Sequence, residues 1–426
     1  MKTLKTCKAE HTAISNPMTQ RHRKFYITNA HHSALTASCI ACMLFAGTAH
    51  AQSSVTLYGT LDTGLPYISN ERTVSAAGAT SGHSVIGVTG GNFWPSNWGV
   101  TGNEDIGGGA SITFDLRNYF SSTSGSMYQP NRIFGVSTVG VKTSSYGSLS
   151  LGRQYDSYTE QLAPLAASNA FGSGYGAHFG DVDNLNYDFS VSNAIKYTTP
   201  TLGGFTLSGT FAPGGVAGDF ATNRVWSVGA TYNSGGLNVA AGYLSARNPF
   251  QSVYGGSSDY LGGLSCTSEV DYCQIFNSKE LRTFGFGATY EFGQFTIGGV
   301  FTSARHIQSQ YGVALVGTPF DIRFDTAEGS LLYKFRPDIE FGTAYAYTHV
   351  KASGDLNAAI QKITVSALYL ISKRTVFYTF VNYENVRGAI AVSPDGSRTA
   401  YAQLPYLPLS NGPSQLGITI GVRHNF

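Results

Sequence analysis

The chain has 426 residues with 27 Lys/Arg and 25 Asp/Glu, and its charged share of 12% is about half the roughly 25% usual for globular proteins. Glycine reaches 51 residues and aromatics 13%, a balance that excludes a coiled coil or a disordered chain. Repeated apolar runs of about 18 or more residues, which a polytopic helical membrane protein needs, do not occur after residue 51.

The first segment reads as an export signal. A basic cluster, Arg21-His22-Arg23-Lys24, precedes an apolar stretch from Ala34 to Ala49, and Ala49-His50-Ala51 makes an A-x-A cleavage site. Together these predict a secretory signal peptide over residues 1–51, cleaved after Ala51. Met18 is a second candidate start. Six Lys/Arg and one acid leave with the segment, so residues 52–426 hold 21 basic and 24 acidic residues, net −3. That balance does not support a basic patch for nucleic acid. Cys39-Ile40-Ala41-Cys42 falls in the discarded stretch and is not read as a redox or metal motif. Cys266 and Cys273 remain; so close a pair in an exported chain predicts a local disulfide.

From Val55 onward the sequence keeps one rhythm, in which stretches alternating between apolar and polar residues are joined in turn by a short and a long connection. Period two means a strand with one apolar face. The predicted strands are Val55–Leu65, Trp98–Gly102, Ser111–Tyr119, Arg132–Val141 and Ser148–Tyr155, then Ala194–Thr199, Phe205–Phe211, Val225–Tyr232 and Leu237–Ser245. Arg282–Phe292, Phe295–Ser303, Asp325–Phe335, Ile339–Val350, Lys362–Ile371, Thr375–Glu384 and Gln415–Phe426 complete the sixteen. Short connections such as Ser234-Gly235-Gly236 and Gly293-Gln294 carry tight-turn chemistry. The long ones, chiefly Asp156–Asn193, Ala246–Leu281 and Asn385–Ser414, are polar. In Lys362–Ile371 the apolar face is Ile363, Val365, Ala367, Tyr369 and Ile371, opposite Lys362, Thr364 and Ser366. An even strand count with short turns at one end and long loops at the other is the pattern of a transmembrane β-barrel. Closure follows, because an open sheet edge cannot be hydrated in lipid.

The stretches VTLYGTLDTGL, SNWGVTGNEDIGGGASITFDL and LGRQYD, with GDVDN before NAIKYTTPTLGGF and ISKRTVFYTF near the end, are similar to the general porins of Gram-negative outer membranes, particularly the β-proteobacterial branch. The resemblance covers Val55–Phe426. It implies a sixteen-stranded all-β antiparallel transmembrane barrel over residues 52–426, lying in the cell outer membrane among lipid and lipopolysaccharide. It further implies a homotrimer, a water-filled channel for ions and small hydrophilic solutes, and an inward-folded third loop. The terminal Phe426 would then belong to the signal read by the barrel-assembly machinery. No cofactor is expected.

In such proteins acids of the third loop face basic residues of the wall. The resemblance therefore implies a constriction in which Asp181 and Asp183, with Asp188 and Glu160 in the same loop, face Arg117, Arg132 and Arg153, with Asp115 beside them. Alternation puts Asp115 and Arg117 in the lumen, since Ile112, Phe114 and Leu116 take the outer face; an Arg or Lys facing mid-bilayer lipid would cost about 2–4 kcal/mol. Arg153 falls on the outer parity with Leu149 and Leu151. Lys196 and Arg423 face inward by parity. Asn97 and Thr101 stand where the family commonly has basic residues, so the positive ladder is depleted and the expected pore is weakly cation-selective or non-selective. A hydrolase is not expected: G-x-S-x-G is absent, and His83, His178, His306, His349 and His424 show no metal-ligand spacing. Two alternatives stay open, a substrate-specific sugar channel marked by lumenal aromatics and a surface adhesin or receptor acting through its loops.

Overall fold

The two-residue alternation closes into a sixteen-stranded antiparallel barrel in the computed structural model, which describes residues 54–75, 78–128, 132–256, 272–353, 356–392 and 398–426. The expected signal segment and Cys266 lie outside these residues. The barrel strands are β1 Ser54–Val74, β2 Asn97–Gly107, β3 Ala110–Tyr119, β4 Val136–Thr143, β5 Gly147–Gln154 and β6 Val191–Thr198. Then come β7 Phe205–Ala212, β8 Val225–Ser234, β9 Leu237–Arg247, β10 Glu280–Phe292 and β11 Phe295–Ser309. The last are β12 Phe320–Arg336, β13 Ile339–Ala352, β14 Leu356–Leu370, β15 Thr375–Gly388 and β16 Ser414–Asn425. Each pairs antiparallel with the next, and β16 returns to β1, from Thr60↔Asn425 to Ile68↔Gly417. No helix among the described residues is long and apolar enough to cross a membrane.

Side chains sort by parity. On β13 and β14, Phe341, Tyr345, Tyr347, Ile363, Val365 and Tyr369 are exposed on the outside, while Ala344, Thr348, Lys362, Thr364 and Ser366 are buried within. At the short-turn end the outward rings make a continuous band. Phe292 and Phe295 stack at 5.8 Å, Phe295 and Tyr333 at 4.8 Å, and Phe335 meets Phe341 at 6.3 Å. Amphipathic rings favour the membrane–water boundary, so this band marks one interface. The Gly293-Gln294 turn below it holds Gly293 at φ +59, in the left-handed region that glycine enters without a Cβ penalty.

Several strands run past their predicted ends at the loop side. β12 starts at Phe320 rather than Asp325, and β14 at Leu356 rather than Lys362. There Ile322, Phe324, Val350, Leu356 and Ile360 point inward, buried under the loops, so the apolar face switches side and the lipid-facing pattern ends early. Between β13 and β14 the strands leave only residues 353–355 as a connection. β4 starts late, at Val136, which leaves Arg132 in the preceding loop rather than on the wall.

The ends of the barrel wall are sealed by a side chain as well as by the ladder. The Phe426 N–H donates to Gly59 O at 3.0 Å and the Gly59 N–H to Phe426 O at 3.2 Å. The Phe426 ring occupies the space a Gly59 Cβ would need. Gly59→Val is therefore expected to destabilise the barrel by about 1–3 kcal/mol through overpacking, read as a lower midpoint of urea unfolding in lipid vesicles.

Candidate functional site

Between β5 and β6 the chain turns into the barrel. Asp156 caps a short helix, α1 Ser157–Leu162, accepting hydrogen bonds from the N–H groups of Tyr158 at 2.9 Å and Thr159 at 3.2 Å. The opening of α1 rests on hydroxyls of the wall: the Ser157 N–H donates to Ser227 Oγ at 2.8 Å, and Ser157 Oγ lies 2.7 Å from Ser208 Oγ. Gly229 on β8 lets the helix backbone lie this close, since a Cβ there would overlap the Ser157 carbonyl. Leu162, Val182, Leu185 and Phe189 bury the apolar side of the loop against Leu244, Val300 and Phe324 of the wall.

An ionic cluster pins the far part of the loop. His178 Nδ1 lies 2.6 Å from Asp183 Oδ2, Thr302 Oγ1 donates to the same oxygen at 2.6 Å, and His178 Nε2 lies 3.5 Å from Glu328 Oε2. The Ala167 N–H donates to Glu328 Oε1 at 2.8 Å. Lys362 pairs with Glu384 at 3.1 Å and donates to the Ala177 carbonyl. Burial alone would lower the His178 pKa, but Asp183 and Glu328 win and raise it from 6.5 to about 10. Burial opposes ionisation of Asp183 too, yet the imidazolium beside it holds that carboxyl below its usual range.

The sequence-predicted residues separate into two groups. Asp115, Arg117 and Lys196 come together with Glu160 of α1 around one gap of about 380 Å³, also lined by Tyr155 and Tyr187. Here Lys196 Nζ lies 2.6 Å from Glu160 Oε1, and Arg117 Nη2 lies 3.2 Å from Asp115 Oδ2. Tyr58 donates to Asp115 and accepts from Arg117 Nε at 2.9 Å. The gap holds two cations and two anions, paired across it and along its wall.

Asp181 and Asp183 lie elsewhere, buried inside the loop. Asp181 accepts the N–H groups of Asn186 at 2.9 Å and Asp188 at 3.2 Å; burial, with Asp183 and Asp188 nearby, pushes its pKa well up. Arg132 donates to the Val253 carbonyl at 3.3 Å, joining two loops. Arg153 sits where the register shifts after Gly152, opposite Ser137, and donates to Ser192 Oγ at 2.8 Å. The Arg423 guanidinium lies 4.0 Å from the centre of the Phe93 ring. Cys273 is disulfide-bonded.

Sequence reading missed Asp62. It is buried on β1 and accepts from Asn92 N at 2.8 Å, Phe93 N at 3.3 Å, Trp94 N at 3.4 Å and Tyr378 Oη at 2.8 Å. It thereby folds the segment carrying Phe93 and Trp94 inward. A lone acid at an inward position of the first strand was the signal available. It missed as well the loop after β15, where Ala402, Gln403, Leu404 and Ser410 are buried and Gln403 N–H donates to Glu384 at 2.7 Å.

A family model described as Gram-negative porin matches residues 34–389. The chain belongs to that family. An outer membrane porin protein of Bordetella pertussis is 32% identical over 273 residues, 58% of this chain and 63% of that protein's length. Outer membrane porin protein 32 of Delftia acidovorans is 25% identical over 403 residues, 91% of this chain and 98% of that one. Among solved structures, an anion-selective porin from Comamonas acidovorans aligns with a TM-score of 0.65 at 22% identity, covering 88% of this chain and 100% of that one. The trimer form of OmpT from Vibrio cholerae aligns at 0.56 with 16% identity, over 88% and 99%. These two likenesses bear on the fold alone. Family and relatives place this porin in the Gram-negative outer membrane.

In the porin, the His178 cluster gives the inward loop a pH signature. A group whose folded pKa is raised stabilises fully below its unfolded value and loses that contribution as pH climbs through the folded one. The melting temperature of the refolded barrel is expected to fall as pH rises from about 6.5 to about 10 and to level off above that. His178→Ala, which strands Asp183 without its cation, is expected to remove that alkaline step and cost about 3–5 kcal/mol.

Proposed function

We propose that the protein is a passive diffusion channel for ions and small hydrophilic solutes, weakly cation-selective or non-selective, acting as a homotrimer. The observation that carries this reading is the gap between α1 and the wall, where Arg117 and Lys196 are matched by Asp115 and Glu160. Each cation touches its anion, so the pairs leave only a weak local field at the neck. Because the charges balance, neither ion sign is favoured strongly. The acids of GDVDN add little to this field: Asp181 and Asp183 are buried in the loop, and Asp183 is neutralised by His178.

The anion selectivity named for the Comamonas relative is the competing reading. Unpaired lumenal arginines would support it; Arg117 is committed to Asp115 and Tyr58, while Arg132, in its loop, makes no ion pair among the described residues. The trimer rests on OmpT of Vibrio cholerae, described in trimer form.

Single-channel recording in planar bilayers under a salt gradient tests this. The expected result is open conductance in steps of three, with a reversal potential near zero or leaning slightly to cations. Glu160→Gln is expected to shift it toward anions and Arg117→Gln toward cations. A strong anion preference of the unmodified protein would refute the selectivity reading, and absence of conductance from folded barrels would refute the channel.

A further inference from the structure

A second cavity of about 320 Å³ adjoins the charged gap and shares Trp94, Tyr155 and Tyr187 with it. The diffusion reading gives this cavity no task. Its walls are largely rings, drawn from the segment held by Asp62 (Phe93 and Trp94), from the start and end of the inward loop (Tyr155 and Tyr187), and from the loop after β15 (Tyr406). Tyr187 meets Trp94 edge-to-face at 5.7 Å and Tyr155 at 4.9 Å.

Two of these rings are held at a conformational cost. Tyr187 has φ +60 and Tyr406 φ +67, the left-handed region in which a bulky side chain is strained. The surrounding fold imposes that conformation, and in both cases the result is an aromatic ring on the cavity wall.

The polar groups set what the cavity accepts. Most are already engaged: Tyr119 and Tyr155 hydroxyls lie 2.9 Å apart, Asn186 Nδ2 donates to Tyr406 Oη at 2.9 Å, and Tyr254 donates to Asp188 at 2.7 Å. A pyranose needs partners for several hydroxyls, and a cavity whose polar atoms are paired with one another offers few. Arg132 differs. It lines the cavity, makes one hydrogen bond to a carbonyl at 3.3 Å and pairs with no acid among the described residues, so most of its donors remain available to a carboxylate. The Asp188 carboxylate on the same wall disfavours a second negative charge.

We propose that this cavity is a subsite for planar aromatic monocarboxylates, with the ring against Trp94, Tyr155 and Tyr187 and the carboxylate toward Arg132. The inference rests on the channel reading, since a subsite beside the neck matters for solutes that pass it. Such a solute would be concentrated at the neck, and its entry would saturate where simple diffusion would not.

The test uses benzoate against cyclohexanecarboxylate, which has the same charge without the planar ring, and against glucose. In planar bilayers benzoate is expected to interrupt the ion current about ten-fold more effectively than cyclohexanecarboxylate, the factor equivalent to one good ring contact. Tyr187→Gly removes the ring and suits the positive φ, so it is expected to fold and to weaken the benzoate block by a similar factor. Arg132→Gln is expected to abolish the preference for benzoate over benzyl alcohol. Equal block by the two acids, stronger block by glucose, or a Tyr187→Gly channel that binds benzoate unchanged would overturn the subsite. Equilibrium dialysis of benzoate against the folded barrel in detergent separates the two readings. Saturable binding weakened by Tyr187→Gly supports the subsite even where conductance fails; no such binding overturns it even where the channel conducts.

Discussion

In the hydrocarbon layer no water is available to a backbone N–H or carbonyl, so every one must find a partner in the protein. A sheet meets that demand by closing on itself. Closure here depends on β1 and β16, far apart in sequence, finding one register between Thr60↔Asn425 and Ile68↔Gly417. The Phe426 ring filling the space above Gly59 favours this register over a slipped one, because a shift of one residue would turn every side chain to the wrong face. Once closed, the wall is a rigid frame, and everything functional is built from segments laid inside it.

The inward loop shows how that frame is used. Its first helix lies on serine and threonine hydroxyls of β7 and β8, its middle is apolar against the wall, and its far part is held by charge. A set of buried ion pairs is costly to form, and removing one partner leaves the other's charge stranded. His178, Asp183, Glu328 and Thr302 form such a set, as do Lys362 and Glu384. With the loop fixed on one side, α1 brings Glu160 to Lys196 on the other, and the charged gap between them follows. The same loop also carries Tyr187 to Trp94, so one loop lines both the charged gap and the aromatic cavity.

The barrel was legible because lipid imposes a strict pattern: the exposed apolar residues of β13 and β14 fall on the predicted parity. The lumen was less so. Asp115, Arg117 and Lys196 were readable as inward-facing because a charge opposite an apolar row has one place to go. Asp181 and Asp183 read as pore acids from their position in the loop, but a loop that folds inward has its own interior, and their oxygens are taken by its backbone and by His178. Phe324 and Val350 broke the rule that apolar means lipid, since the loops give them an inner apolar partner. Arg132 lay beyond its strand for a related reason: β4 starts only at Val136, and local alternation does not record where a ladder begins.

As proposed, α1 stands in the ion path, with Glu160 facing Lys196 at the charged gap. Placing a cysteine there, Glu160→Cys, and applying a water-soluble thiol reagent during single-channel recording tests it directly. A stepwise fall in open-channel conductance as each subunit is modified is the expected result. Complete modification, verified by mass, with conductance unchanged would contradict it.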